Sequence, residues 1–205
     1  METLIITSDD MSRASKIIKR GGLVAVPTET VYGLAANGLD AAAVARIYEL
    51  KGRPAVKPLS LLVSGICGAE LVCGEIPEPA QKLAAAFWPG PLTLVLKKNN
   101  AVPEIVTAGG DTVGVRCPDH PKTLELLRLA GVPLAAPSAN TSGMESPKDA
   151  DGVLNCFGGK IDCVIDGGRC ALGVESTVVD LSGDEYKILR RGALPESEIR
   201  RALGL

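Results

Sequence analysis

The sequence predicts a single α/β domain in which part of the sheet is antiparallel. Strand-like apolar runs alternate with capped helical segments along most of the 205 residues, an order typical of α/β folds. Towards the C-terminus several strands follow one another without a helix between them, which indicates antiparallel pairing in that part. The length favours one domain, and we expect it to span residues 1–205.

Caps and stop signals define the elements of the first half of the chain. Asp9 or Asp10 can cap a helix that runs to Arg20, and Asp40 can cap a helix that ends at Gly52. Aspartate accepts bonds from the free amides of a first helical turn, and glycine adopts the left-handed conformation that ends a helix. The predicted strands of this half are residues 4–7, 23–26 and 59–63.

Proline and glycine separate the elements of the second half. A helix from about residue 79 to 88 stops at Pro89-Gly90-Pro91, and a helix over 121–130 stops at Gly131. A last helix covers 196–203. The predicted strands of this half are residues 92–97, 112–116, 133–136, 161–165, 177–181 and 186–189.

Composition excludes several classes of protein. The net charge is −2, which argues against a strongly basic nucleic-acid-binding surface. The apolar runs are short, so we expect no membrane span. The N-terminus has no basic-then-apolar pattern, and a cytoplasmic location is therefore predicted.

The six cysteines and the one histidine do not predict a metal site. No pair has C-x-x-C spacing, so we expect reduced, mostly buried thiols without a catalytic role. His120 precedes Pro121 at a predicted helix start and is expected at the surface. The cysteines are Cys67, Cys73, Cys117, Cys156, Cys163 and Cys170.

Three cations lie close together in the segment KGRPAVK. Lys51, Arg53 and Lys57 fall within seven residues, and no acidic residue follows before Glu70. Lys51 lies in the last turn of a predicted helix, where a cation is favoured in any case. That account does not cover Arg53 or Lys57. Since prolines stiffen the segment, the pattern indicates binding of a polyphosphate.

Five other segments place polar or cationic groups at predicted strand ends: PTETVYGL, TVGVR, APSANTSG, GVESTVVD and ILRRG. Arg116 ends an apolar strand, and either an acidic ligand or a structural carboxylate would satisfy its charge. A polar turn or a solvated strand end is the alternative for each segment taken alone. None of them supplies a nucleophile with an adjacent base, so electrostatic catalysis of phosphoryl or nucleotidyl transfer is favoured.

Taken in order, these segments resemble the YrdC family of threonylcarbamoyl-AMP synthases. The resemblance rests on PTETVYGLAANG, KGRP, TVGVRCP, PSANTSG, GVESTVVD and ILRRG, from about residue 8 to the C-terminus. The K-x-R…S-x-N signature of the family stands here as Lys51, Arg53, Ser138 and Asn140. The length is similar to that of the short, single-domain members.

The resemblance implies a twisted, open mixed sheet with flanking helices and a concave cationic cavity. It implies a reaction that joins L-threonine, bicarbonate or CO2, and ATP, with Mg²⁺ accompanying the ATP. The products are L-threonylcarbamoyladenylate and pyrophosphate. A separate tRNA threonylcarbamoyl transferase then receives the product and modifies the adenosine beside the anticodon, so binding of tRNA by this chain is expected to be weak at most.

The resemblance also implies site residues. Lys51 and Arg53 lie nearest the phosphates and are the implied catalytic residues. Leu62 and Lys148 stand where some members carry other, polar residues. The implied threonine contacts are Thr30, Arg116, Ser138 and Ser176. The implied ATP contacts are Lys51, Arg53, Lys57, Thr112, Asn140, Lys148 and Arg190.

Two other functions compete with this one. A carbamoyl-adenylating module like that of hydrogenase-maturation proteins shares the fold, but those proteins also carry acylphosphatase and zinc-finger segments that do not fit this chain. A non-catalytic RNA-binding module is disfavoured because two Phe, three Tyr and one Trp offer few stacking surfaces. Threonine-dependent release of pyrophosphate distinguishes the three.

Overall fold

Ten strands pair into one open, mixed sheet in the computed structural model, which describes residues 2–183 and 185–205. The strands are β1 (Leu4–Ile6), β2 (Val24–Val26), β3 (Gly33–Asn37), β4 (Ser60–Leu62), β5 (Leu92–Lys97), β6 (Thr112–Arg116), β7 (Leu134–Ala135), β8 (Cys163–Ile165), β9 (Thr177–Asp180) and β10 (Lys187–Arg190). Their spatial order is β1-β8-β2-β3-β7-β4-β6-β5-β9-β10. β1 and β10 form opposite edges, so the sheet does not close.

Parallel and antiparallel pairs mix along the whole sheet. β8 pairs in parallel with β1 and with β2, as β4 does with β6 and β5 with β9. The predicted antiparallel pairing near the C-terminus is confirmed by β9 and β10. Antiparallel pairing extends further than predicted, because β3 and β7 also join the sheet in that sense.

Helices cover both faces of the sheet. They are α1 (Ser12–Lys19), α2 (Ala41–Lys51), α3 (Ile66–Glu70), α4 (Glu78–Phe87), α5 (Glu104–Thr107), α6 (Pro121–Ala130), α7 (Ala150–Phe157) and α8 (Glu196–Leu203). α1 and α6 pack on one face, and α2, α4, α7 and α8 contribute to the core on the other. None of the described helices has the length and apolar character needed to cross a membrane.

Alternation along the strands supplies two cores. Val24 and Val26 face the core beneath α1 and α6, whereas Ala25 between them faces the opposite core. Leu61 and Leu62 divide in the same way. Successive side chains of a strand point to opposite faces, so a strand covered on both faces appears in the sequence as a continuous apolar run.

The predicted helix boundaries hold where a cap and a stop are both present. Asp40 accepts bonds from the amides of Ala42 and Ala43, and Gly52 ends α2 with φ of 57°. The start of α1 differs from the prediction. Met11 is its N-cap residue without a side-chain bond, and Asp10 instead accepts from the amide of Ser12.

All six thiols are unpaired in the structure. Cys73, Cys117 and Cys163 are buried, as predicted for small apolar side chains, and Cys156 and Cys170 are partly buried. Cys67 is exposed and differs from that expectation.

Candidate active site

One polar cavity collects a residue from each of the six segments singled out in the sequence. It has a volume of about 230 Å³ and opens at the ends of the central strands. The loop after β2, the loop before β4 and the end of β6 form part of its wall. The polar or cationic side chains singled out in the six segments that line it are Thr30, Arg53, Arg116, Ser138, Ser176 and Arg190, one from each segment.

Arg116 has a structural carboxylate as its charge partner. The Glu29 carboxylate accepts a hydrogen bond of 2.6 Å from Nη2 of Arg116, and both side chains are nearly buried. The sequence left open whether an acidic ligand or a structural carboxylate satisfies the charge of Arg116. The structure shows that a structural carboxylate, that of Glu29, does so. Glu29 also accepts from the amide of Asp119, which fixes the carboxylate beside the guanidinium.

The guanidinium of Arg116 retains two N–H groups for a ligand. Nε donates to the carbonyl of Gly90 at 3.1 Å, and Nη1 donates to Oγ1 of Thr30 at 2.9 Å. With the bond to Glu29, three of the five N–H groups of an arginine are used within the described residues. Burial lowers the pKa of this guanidinium and Glu29 opposes that shift, but an arginine remains charged in proteins.

Hydroxyl groups line the cavity together with Arg116. Oγ1 of Thr30 lies 2.8 Å from Oγ1 of Thr28. Oγ of Ser176 lies 2.8 Å from Oγ1 of Thr93 and accepts from Nη2 of Arg190 at 3.0 Å. These hydroxyls are buried among fixed partners, so they form a preorganised polar wall.

The charge of the cavity is less one-sided than the sequence predicts. Arg190 forms an ion pair with Glu175, whose other carboxylate oxygen accepts from Oγ of Ser146. Arg53 donates to the carbonyls of Lys57 and Pro58, and it takes part in none of the ion pairs among the described residues. The guanidinium of Arg53 is therefore the cavity cation that no carboxylate offsets.

Lys51 supports the cavity wall from behind. Its side chain is 1% exposed, and Nζ donates to the backbone carbonyls of Ser138 and Asn140. Burial lowers the pKa of Lys51 to about 8, and the charge of Arg53 contributes to the same shift. The ammonium is thus not a free surface cation, as the sequence suggested, but the anchor of the loop that carries Ser138.

Besides Lys51, four more implied ATP contacts lie outside the cavity lining. Lys57 is exposed, and Lys148 pairs with Glu145 at 3.1 Å. Asn140 accepts from Oγ of Ser138 at 2.5 Å and donates to two carbonyls of its own loop. Thr112 begins β6, about 13 Å along the strand from Arg116 at the usual rise per residue.

Two further residues of the sequence analysis belong to the framework around the cavity. Tyr32 is fully buried and its hydroxyl bonds to the turn at Gly167 and Gly168; burial raises its pKa to about 12. His120 was expected at the surface but is half-buried, because its ring lies against Gly167 together with that of Pro27.

Sequence reasoning missed Glu29, Thr28, Thr93 and Glu175 as site residues. Glu29 and Thr28 lie inside PTETVYGL, and Glu175 lies inside GVESTVVD, so the motifs were found but these partners were not. Thr93 carries no local signal, because its position opposite Ser176 comes only from the pairing of β5 with β9.

Comparison with known proteins decides the family. The family model described as "Telomere recombination", Sua5_yciO_yrdC, matches residues 16–192. The chain belongs to the Sua5/YciO/YrdC family. The resemblance inferred from the six segments is thereby confirmed, as is the mixed α/β fold with an open sheet.

Two relatives of this Sua5/YciO/YrdC chain carry the same functional name. It is 53% identical over 191 residues to a protein of Pyrococcus abyssi named "Threonylcarbamoyl-AMP synthase", covering 93% of this chain and 56% of that protein. A Bacillus subtilis protein of the same name is 43% identical over 204 residues, covering 99% of this chain and 59% of the relative. The chain thus spans between half and two thirds of these two relatives.

A solved structure shares the fold closely. "Crystal structure of P. abyssi Sua5 complexed with L-threonine" superimposes with a TM-score of 0.96 at 50% identity. The match covers 98% of this chain and 61% of that one. The family likeness therefore extends over almost the whole of the described sheet and helices.

Proposed function

We propose that this protein is a threonylcarbamoyl-AMP synthase, which forms L-threonylcarbamoyladenylate and pyrophosphate from L-threonine, bicarbonate or CO2, and ATP. The observation that carries the proposal is the cavity in which all six motifs of the resemblance meet. The names of relatives at 53% and 43% identity support it, as does the threonine complex of the P. abyssi protein.

The amino-acid end of the cavity is assigned to the surroundings of Arg116. Its two remaining N–H groups suit a carboxylate, since a guanidinium binds carboxylates through paired hydrogen bonds. Thr30, Ser138 and Ser176 add hydroxyl groups to the lining of the same cavity. A small zwitterion such as threonine fits this combination of a charged donor and neutral hydroxyls.

The nucleotide end is assigned to the side of the cavity that contains Arg53 and Arg190. Arg53 has no carboxylate partner among the described residues, so the phosphates of ATP are the anion that its position suits. Lys51 acts there through the loop that it anchors, while Asn140 holds that loop from within. Lys57, Thr112 and Lys148 are assigned to the nucleotide by the resemblance alone.

The proposed chemistry needs no protein nucleophile. The amine of threonine attacks CO2 with loss of one proton, and the resulting carbamate oxygen attacks the α-phosphorus of ATP, from which pyrophosphate leaves. Negative charge develops on the phosphate oxygens, and fixed cations at that position lower the barrier. Arg53 and Arg190 supply such cations, so the enzyme is a nucleotidyltransferase under this proposal.

Mg²⁺ is proposed to enter with ATP. Among the described residues no group of three or more His, Cys, Asp or Glu side chains could hold a metal. That fits an ion held mainly by phosphate oxygens and water, as Mg²⁺ usually is in nucleotide sites. Glu175 is the carboxylate in the cavity lining and the residue that would contact the ion. Bound there, Mg²⁺ supplies neutralisation of phosphate charge.

The wider setting is proposed on the same basis. We assign the protein to the cytoplasm, as a single domain over residues 1–205 that passes its product to a tRNA threonylcarbamoyl transferase. The net charge of −2 gives little long-range attraction for tRNA, so direct binding of tRNA is expected to be weak at most.

Release of pyrophosphate with each substrate omitted in turn tests the reaction. Purified protein with Mg²⁺, ATP, L-threonine and bicarbonate is expected to release pyrophosphate, and omission of threonine is expected to abolish most of it. Arg53→Ala should lose the activity, whereas Arg128→Ala, which removes an exposed arginine of α6, should retain it. Hydrolysis of ATP to ADP and phosphate at a rate indifferent to threonine refutes the assignment.

A further inference from the structure

Two buried threonines share one hydrogen bond at the wall of the cavity. Oγ1 of Thr28 and Oγ1 of Thr30 are 2.8 Å apart, and the two residues are 4% and 0% exposed. Each hydroxyl carries a single proton. The other partners of the pair therefore decide which oxygen donates and which accepts.

The carbonyl of Val31 fixes the direction of that bond. Oγ1 of Thr28 lies 2.7 Å from the oxygen of Val31, and a carbonyl can only accept, so the proton of Thr28 is used there. The amides of Thr30 and Val31 also point at Oγ1 of Thr28, at 3.1 and 3.2 Å, and share one of its two lone pairs, so the second lone pair is left for the hydroxyl of Thr30. With its proton committed, Thr28 can only accept from Thr30. The hydroxyl of Thr30 is the donor.

Thr30 is consequently left with acceptor capacity alone. Its proton points at Thr28, and one of its lone pairs accepts from Nη1 of Arg116 at 2.9 Å. A hydroxyl oxygen has two lone pairs, so one remains available. Because Thr30 lines the cavity, this remaining lone pair is the feature that it can present to a ligand.

We propose that Thr28 is a positioning residue that makes Thr30 an acceptor for the α-amino group of the bound threonine. The inference rests on the proposed function and deepens it. If the substrate carboxylate lies on Arg116, the amino group one carbon away is the charged donor next to it, and Thr30 contacts the same guanidinium with its oxygen. An ammonium group can donate but cannot accept, so the direction set by Thr28 suits it.

The same polarity suits the proposed chemistry. The amine must keep its lone pair free to form the N–C bond with CO2, and the step releases one proton. A hydroxyl that accepts an N–H leaves that lone pair free, whereas a hydroxyl that donates would occupy it. The ammonium, the amine and the carbamate nitrogen each retain an N–H, so Thr30 can hold the nitrogen through the whole step.

The test replaces Thr28 by valine and by serine. Thr28→Val keeps the shape but removes the acceptor, and it frees the Thr30 proton to turn towards the substrate. We expect kcat/KM for threonine to fall by at least ~10-fold, the cost of losing a hydrogen bond to a charged group, with KM for ATP unchanged. Thr28→Ser keeps the oxygen and should restore kcat/KM towards the wild-type value.

A matched variant separates the effect from lost stability. Thr107 is likewise buried, and its hydroxyl donates to the carbonyl of Gly110 at 2.9 Å, outside the cavity lining. Thr107→Val should lower the melting temperature but leave both KM values unchanged. An unchanged kcat/KM in Thr28→Val, or a Thr28→Ser variant as impaired as Thr28→Val, overturns the inference.

L-2-aminobutyrate, which lacks the side-chain hydroxyl, identifies the group that meets Thr30. Its binding to the wild type and to Thr28→Val is measured by calorimetry beside that of threonine. If the amino group is the donor to Thr30, Thr28→Val should weaken the binding of 2-aminobutyrate as much as that of threonine. If Thr28→Val leaves the binding of 2-aminobutyrate unchanged, the side-chain hydroxyl of threonine is the group that contacts Thr30, and this inference is refuted. Failure of the wild type to bind or use threonine refutes the proposed function, and this inference with it.

Discussion

Replacement of Arg116 by lysine tests the proposed threonine site at its charged centre. The guanidinium donates from three different nitrogens, to Gly90, Thr30 and Glu29, and keeps two N–H groups for a substrate carboxylate. Lysine retains the charge on one nitrogen but loses the planar fork. The variant therefore cannot maintain the pair with Glu29, reach Gly90 and bind a carboxylate through two bonds at the same time.

The structure sets the magnitude of two separate losses. A carbonyl left without its donor, here that of Gly90, costs about 1–3 kcal/mol of stability, or roughly 2–12 °C in melting temperature for a chain of this size. Loss of a charge-assisted bond to threonine costs about 1.5–3 kcal/mol, which raises KM for threonine by ~10- to 150-fold. KM for ATP should change much less.

Steady-state kinetics with both substrates varied measures these shifts, and thermal melts measure the stability. Glu29→Gln is the matched variant, because it perturbs the same buried pair but leaves the guanidinium in place. It should lose stability while keeping a lower KM for threonine than Arg116→Lys. Equal increases of both KM values in Arg116→Lys would mean that Arg116 supports the fold or the nucleotide, and the threonine assignment would be withdrawn.

Three further predictions concern the cations and the thiols. Arg53→Met should lower activity by ~100-fold with little change in melting temperature. Lys51→Met should lower both the activity and the melting temperature. A Lys51→Met protein as stable as the wild type would contradict the anchoring role of Lys51. Because burial lowers the pKa of Lys51 from 10.5 to about 8, the folded protein binds fewer protons than the unfolded chain between these values. The cost of burying the charge is therefore complete below pH 8 and is relieved as the pH rises, so the stability of the wild type relative to Lys51→Met should increase through that window in urea titrations. In native protein, iodoacetamide should modify exposed Cys67 first, since burial raises the pKa of Cys117 to about 11 and that of Cys163 to about 12. In unfolded protein, mass spectrometry should show six modified thiols without a reductant.

Local sequence signals were sufficient to predict the bounds of helices and strands whose ends are marked in the sequence. β5, β6, α6 and α8 have the predicted bounds, because each is closed by a proline, a glycine or a change of periodicity. β3 was missed, since GLAAN is small and only weakly apolar, and it becomes a strand through pairing with β2 and β7. α7 was missed because it contains glycine; the cap that Asp149 provides to the amide of Gly152 helps to offset that.

The sequence predicted the residues that line the site better than the hydrogen bonds and ion pairs between them. Each of the six segments contributes a lining residue, because polar groups at strand ends are detectable one at a time. The role of Lys51 was not predictable, since the last turn of α2 gives no sign that the 138–140 loop lies over it. Glu29 was missed as the partner of Arg116 for the same reason, because 87 residues separate the two in the chain.

The most direct test of the central claim follows carbon from bicarbonate into the product. The protein is incubated with Mg²⁺, ATP, L-threonine and either ordinary or ¹³C-labelled bicarbonate, and the nucleotides are separated and identified by mass spectrometry. The account predicts a threonine-dependent adenylate with the mass of L-threonylcarbamoyladenylate, which becomes heavier by a single mass unit with labelled bicarbonate and is lost in Arg53→Ala. An adenylate of the same mass in both incubations, or no threonine-dependent adenylate, would contradict it.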